Sequence, residues 1–219
     1  HLIPLILECS YQGKFNYYKK LCEIYLKGKK KKSSIFQFNL KKKMLPEICF
    51  LSHDIRNHPI GFFLKDLLPE LSKKFKIHIF NTCEFEDDIS LDAKKYSKWF
   101  NVSSYNDEKI ADLIYNNNID ILFDTSGLTR TNRIGILKLK PCNIQVSWAG
   151  WLASTNLKEV DYLVSDSFCT KLDDEKFFTE KIYRMKNIWC SYSLSVLKKL
   201  NLRKINNYEN NVIFGCFQR

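Results

Sequence analysis

The chain has 219 residues, 45% of them hydrophobic, with only seven Gly and five Pro; it can bury a full α/β core and is not a linker-like or low-complexity chain. No apolar run nears the ~20 residues needed to span a bilayer, and the opening Leu2–Leu7 lacks the basic start and cleavage site of a signal peptide. The formal net charge of +11 sits mostly in residues 1–46, where eleven Lys face only Glu8 and Glu23, so the remainder is nearly neutral and a nucleic-acid-binding body is disfavoured.

Residues 14–27 predict an amphipathic helix, with Phe15, Tyr18, Leu21, Cys22 and Tyr25 recurring at three- and four-residue steps. Residues 28–46 are basic and polar and read as a linker ending at Pro46. From Glu47 the pattern changes. Ile48–Leu51 predicts a short apolar strand, Gly61–Leu71 a helix, Lys76–Asn81 a strand and Ile89–Trp99 a helix. Phe100–Ser103 reads as a short strand, and Asn106–Asn117 as a helix opened by Ser104 or Asn106. Strands come next at Ile119–Asp124 and Ile144–Trp148, with a helix over Thr131–Leu139 between them, and then a strand at Tyr162–Ser165. The signal weakens until the apolar run Val212–Phe217. Alternating strand and helix with short connections predicts a parallel sheet with helices on both faces, preceded by a short helical segment.

Eight widely spaced cysteines, none in a CxxC pair, form neither a zinc framework nor a small disulfide scaffold. Buried free thiols in a reducing cytoplasm are the better account, and no metal site is expected. The lysine runs at Lys27–Lys32 and Lys41–Lys43 lack interleaved aromatics and read as solvated linker rather than an RNA or membrane contact.

In parallel sheets of this kind ligands bind beyond the carboxyl ends of the strands, and three polar or glycine-bearing segments fall there. Ser52–Pro59 comes after the first strand and gathers His53, Asp54 and His58, a carboxylate beside imidazoles suited to holding or accepting a proton near neutral pH. The bland alternative is that Asp54 caps a turn and His58 packs before Pro59. Thr125–Thr129 comes after the Ile119–Asp124 strand. Gly127 would let backbone amides approach a ligand and Thr129 offers a hydroxyl, but the segment is neither a Walker loop nor a dinucleotide turn. Ala149–Thr155 comes after the Ile144–Trp148 strand, and Trp148 and Trp151 bracket Gly150, aromatic faces that suit a sugar or a base. Closure of the core is the plainer reading, more so for Trp148 than for Trp151. The three loops are expected to converge on one rim.

Taken in order, five blocks carry a family resemblance. Cys49–Pro59 resembles G-Y-V-S-x-D-F-x-x-H-P, and Ile119–Thr129 is similar to I-D-I-L-V-D-L-x-G-H/Y-T. Lys140–Trp151 resembles R-P-A-P-I-Q-V-x-W-L-G-Y, Asp161–Asp166 is similar to D-Y-x-I-x-D, and Phe214–Gln218 resembles F-G-S-F-N. Together they resemble the catalytic region of protein O-GlcNAc transferases and the related protein O-fucosyltransferases over about residues 47–219.

The resemblance implies the amino-terminal Rossmann-like lobe of a GT-B glycosyltransferase over 47–205, the start of a second, nucleotide-binding lobe over 206–219, and a helical lead-in with basic linker over 1–46. It implies inverting transfer from a nucleotide sugar, UDP-GlcNAc first, to Ser or Thr hydroxyls of acceptor proteins, with neither metal nor cofactor. Asp54 and His58 match the family's active-site Asp and His. Ile60 stands near the sugar; Ala149 and Gly150 match the pair whose backbone lines the donor site; Gln218 and Arg219 fall where contacts to the nucleotide begin. Leu128 departs from the usual His or Tyr, Trp151 from Tyr, and Arg219 from an amide side chain.

The His start and the end at Arg219 lead to the expectation of an incomplete catalytic region, cytoplasmic and weak alone because diphosphate-stabilising groups would lie further on. The competing readings are a non-catalytic module that binds acceptor proteins or needs a separate partner lobe, and a basic nucleic-acid binder. The second predicts steep salt dependence of oligonucleotide binding.

Overall fold

The computed structural model describes residues 2–29, 36–38 and 43–198. Two helices, α1 (Ile3–Tyr11) and α2 (Phe15–Lys27), precede a chain of alternating elements: β1 (Glu47–Ser52), α3 (Pro59–Lys65), α4 (Leu67–Ser72), β2 (Lys76–Asn81), α5 (Asp88–Lys94), β3 (Lys98–Asn101), α6 (Asp107–Asn116), β4 (Ile121–Asp124), α7 (Ile134–Lys138), β5 (Ile144–Ser147), β6 (Tyr162–Ser165), β7 (Lys181–Arg184) and α8 (Leu194–Leu197). A 3-10 helix, Leu172–Phe177, lies between β6 and β7. The strands form one sheet in the order β3-β2-β1-β4-β5-β6-β7, every neighbouring pair parallel. Consecutive strands run outward from β1 to β3, and the chain then returns to the middle to lay β4 on the other side of β1. The switch point of this doubly wound sheet is therefore between β1 and β4.

Alternation along the strands divides the core into two. Cys49, Leu51 and Leu122 face a cluster that includes Ile110 and Ile114 of α6, Ile134 and Leu137 of α7, and Ile6, Tyr18, Cys22 and Leu26 of α1 and α2. Ile48, Phe50, Ile77 and Ile79 face the other cluster, with Leu64 of α3, Leu68 of α4 and Ala93 of α5. Helices cover both faces, as alternating strand and helix predict. The helix at 15–27 is not a detached lead-in: the Tyr18 hydroxyl donates to the Ser154 carbonyl and Phe15 stacks on Phe177, centroids 4.0 Å apart.

Several elements differ from their sequence-based expectation. The helix expected over 61–71 is two helices that part at Asp66. The break places Pro69 in the first turn of α4, where its missing N–H removes no helix bond. The helix expected over 89–99 stops at Lys94, because Trp99 pairs with Ile79 in edge strand β3. Both α1, opened by Pro4, and edge strand β7 carry too little periodic signal to be foreseen. The Val212–Phe217 run lies outside the described residues. α6 begins as expected, the Asn106 side chain accepting from Lys109 N at 2.9 Å.

Among the described residues no helix is long and apolar enough to cross a membrane, and no group of three or more His, Cys, Asp or Glu could hold a metal ion. Cys22, Cys49, Cys83 and Cys142 are buried and free; Cys169 is free and exposed.

Candidate active site at the strand-end rim

β1 runs into the switch point and ends at Ser52, whose hydroxyl organises the loop beyond it. Ser52 Oγ accepts from Asp54 N at 3.0 Å and from the Thr125 hydroxyl at 2.7 Å, tying the loop after β1 to the loop after β4. Arg56 folds back over the same loop. Its Nη2 reaches Asp54 Oδ1 at 3.1 Å and its Nε donates to the His53 carbonyl at 3.4 Å. His53 Nδ1 lies 3.3 Å from the Thr82 carbonyl, and Asn57 N donates to Asp87 Oδ2 at 2.6 Å. The loop is thus held by partners from the segment between β2 and α5. Gly61 is required where α3 leaves it, since a Cβ there would lie 2.0 Å from the Arg56 carbonyl oxygen.

His58 is the residue that opens α3: its backbone is extended, and its ring Nδ1 accepts from Ile60 N at 3.3 Å. Partial burial lowers its pKa; the Asp54 carboxylate opposes that, while Arg56 and His53 add to it. His58 is therefore neutral near neutral pH. Asp54, half of the expected pair, stands over the same loop with Oδ1 on Arg56.

The loop after β4 is built around Asp124, a residue the sequence offered no reason to single out. Its buried carboxylate accepts from Ser126 N at 3.4 Å and from Gly127 N at 2.6 Å. Burial raises its pKa to about 7 against the opposing pull of those two N–H groups. Gly127 takes φ +56° with Trp151 pressed on it; a Cβ would come 2.2 Å from Trp151 Cβ. Thr129 Oγ1 is buried without a hydrogen-bond partner among the described residues.

The loop after β5 closes against this one. Ala149 has φ 73°, a conformation disfavoured for a residue with a Cβ, and Gly150 packs so closely that a Cβ would lie 1.9 Å from the Thr125 carbonyl oxygen. A fourth loop adds a brace. Asp166, after β6, accepts from Phe168 N, Cys169 N and Trp189 N, and the Trp148 indole N–H donates to the Trp189 carbonyl at 3.0 Å.

Asp54, His58, Gly127, Thr129, Ala149 and Gly150 are thus gathered on adjoining loops at one end of the sheet. One expectation needs correction. Trp151 offers no open face to a sugar or base: it is 7% exposed, packs in the core, and donates from Nε1 to the Tyr18 hydroxyl at 3.1 Å. The Ile60 side chain is 3% exposed and packs in the cluster that holds Ile55 and Leu64, and its backbone N–H donates to the His58 ring. Gln218 and Arg219 lie outside the described residues. Arg56 and Asp124 were not foreseen: Arg56 folds back on Asp54 and the His53 carbonyl, and Asp124 holds Ser126 N and Gly127 N, contacts that exist only once each loop has closed on itself.

A doubly wound parallel sheet with loops after β1, β4 and β5 interlocked at its switch point defines a Rossmann-type α/β lobe, a fold class whose ligands bind beyond the strand ends. Residues 16–213 match glycosyl transferase family 41. The chain is 28% identical over 167 residues to the probable UDP-N-acetylglucosamine--peptide N-acetylglucosaminyltransferase SPINDLY of Arabidopsis thaliana, covering 72% of this chain and 18% of that one. It is 26% identical to the probable enzyme of that description named SEC from the same plant, over 78% of this chain and 19% of that one. The UDP-N-acetylglucosamine--peptide N-acetylglucosaminyltransferase of Caenorhabditis elegans matches at 26%, over 68% of this chain and 13% of its own. A point mutant of the Thermobaculum terrenum O-GlcNAc transferase superposes with a TM-score of 0.78 at 19% identity, covering 86% of this chain and 38% of that structure, a likeness of fold. The chain belongs to glycosyl transferase family 41. It spans less than a fifth of the length of these three curated relatives.

Proposed function

We propose that the protein transfers GlcNAc from UDP-GlcNAc to Ser or Thr hydroxyls of acceptor proteins, with inversion, without a metal or other cofactor, in the cytoplasm. Family membership carries the reading, and the rim supports it: a carboxylate and an imidazole, Asp54 and His58, stand on a loop tied to the loop that holds Gly127, against which Gly150 packs. Residues 47–205 would form the first lobe, and residues 206–219 would open the second. The acceptor hydroxyl oxygen attacks the anomeric carbon from the side opposite the diphosphate; the bond from that carbon to the phosphate oxygen breaks, and its electron pair leaves with UDP. Asp54 and His58 handle the hydroxyl proton. The backbone at Ile60, Gly127, Ala149 and Gly150 and the Thr129 hydroxyl line the sugar and diphosphate, and Gln218 and Arg219 begin the nucleotide contacts.

The test is to incubate the complete protein with UDP-GlcNAc or GDP-fucose and a library of Ser/Thr peptides, reading donor consumption and peptide mass. UDP-GlcNAc consumption with a GlcNAc mass gain is expected. Fucose transfer alone would reassign the donor, and turnover of neither would refute the reading.

A further inference from the structure

The start of α3 fixes which ring nitrogen of His58 is free. As the cap of that helix His58 uses Nδ1 as an acceptor, because the group opposite is a backbone N–H and can only donate. A neutral imidazole carries a single ring proton. With the Nδ1 lone pair engaged, that proton resides on Nε2. His53 shows the opposite arrangement a few residues earlier: its Nδ1 faces the Thr82 carbonyl, which can only accept, so its proton resides on Nδ1.

We infer that His58 serves the reaction as a hydrogen-bond donor through Nε2–H, aimed at a sugar, hydroxyl or phosphate oxygen, and is not the proton acceptor. The inference rests on the transfer reaction proposed above and divides the labour within its pair. Acting as a base through Nε2 would require the Nδ1–H tautomer, which turns a donor toward Ile60 N–H and leaves that amide at the start of α3 without its acceptor. Asp54 then remains as the acceptor in the loop. Its Oδ1 is on Arg56, and its Oδ2 has no hydrogen bond among the described residues. Arg56 and the cap act together: the guanidinium holds the carboxylate in place, and the helix start sets the imidazole's tautomer. The lowered pKa of His58 agrees with this: its burial, with Arg56 and His53, outweighs the opposing Asp54 carboxylate and disfavours a second ring proton.

Two measurements test it. In the chain labelled with 15N-histidine, the ring nitrogen shifts at pH 7.5 report the tautomer, with His58 assigned by the signals that vanish in His58→Gln. An Nε2–H form for His58 and an Nδ1–H form for His53 are expected; an Nδ1–H form for His58 overturns the inference whether or not the protein is a transferase. In the complete protein, Gln places a non-basic N–H near the Nε2 position, while Asn mimics the capping Nδ1 only. Sugar transfer by His58→Gln should remain within about tenfold of wild type, and that by His58→Ala and His58→Asn should fall about a hundredfold, the range of a positioned catalytic group. Gln and Ala both lose the cap, so their thermal midpoints should match. Gln as inactive as Ala at matched stability would overturn the donor role. Absence of transfer by the wild-type protein would instead count against the proposed function, and the NMR result would still judge the tautomer.

Discussion

Replacing Gly150 by Ala tests the junction on which the rim depends. The added Cβ would sit 1.9 Å from the Thr125 carbonyl oxygen and 2.8 Å from its carbon, against an ordinary contact of 3.4 Å, so one loop must move by about 1.5 Å. Neither side gives easily. Thr125 is anchored by its N–H to the Leu51 carbonyl at 3.2 Å and by its hydroxyl to Ser52, and Ala149 already holds a positive φ. Overpacking of this kind costs roughly 1–3 kcal/mol, and the anchored backbone on both sides places Gly150→Ala toward the upper part of that range. For a chain of this size about 2–4 °C is lost per kcal/mol, so a fall in thermal midpoint of about 5–10 °C is expected by calorimetry. The same shift displaces the strand-end loops by more than an ångström, and sugar transfer should drop about a hundredfold. Gly28→Ala is the control. Its Cβ would meet the Tyr25 carbonyl at 3.6 Å with φ at −70°, and stability should change by no more than about 0.5 kcal/mol. A Gly150→Ala protein that melts and turns over like wild type would refute the claim that the two loops interlock through backbone.

The Asp124 carboxyl is raised from 3.8 to about 7 by burial, so its contribution to stability is full below about pH 4 and is lost as pH rises through about 7. The stability difference between wild type and Asp124→Asn, taken from urea melts, should therefore shift against wild type by on the order of a few kcal/mol from pH 4 to pH 8; a flat difference would refute the assignment. Trp151→Ala should cost about 3–5 kcal/mol as a core truncation, and Trp151→Phe about 1 kcal/mol beyond its volume change through loss of the bond to Tyr18, both read from chemical denaturation. Under native conditions iodoacetamide should label Cys169 first among the described cysteines and leave Cys22, Cys49 and Cys142 unmodified until unfolding, as peptide mass mapping would show; burial pushes the Cys22 and Cys142 thiols up to about 11.

Much of the lobe was legible in the order of residues alone. Lys76–Asn81 and Tyr162–Ser165 are strands over the spans that apolar patterning indicates, and of the two caps the sequence offers for α6, Ser104 and Asn106, it is Asn106 that caps it. The signal fails where an element's identity comes from its neighbour. The strand read at Phe100–Ser103 lies two residues earlier, at Lys98–Asn101, because β2 offers it a ladder there, and Lys181–Arg184 is a strand because β6 does. For the rim, Asp54, His58, Gly127 and Gly150 stood out as residue types at strand ends. Asp124 did not, because an Asp at the end of an apolar strand looks ordinary until its carboxylate is seen beneath Gly127 N.

The sequence by itself determined the class of fold, the alternation of strand and helix between Glu47 and Ser165 and the placing of polar loops at the strand ends, because periodicity and turn chemistry act between residues a few positions apart. Only the tertiary structure decided that Trp151 turns inward onto Tyr18, that α1 and α2 complete the core, that Thr125 joins the loop after β4 to the loop after β1, and which nitrogen of His58 is engaged. Most of those outcomes depend on contacts between residues far apart in the chain, and they exist only once the sheet has brought its strand ends side by side.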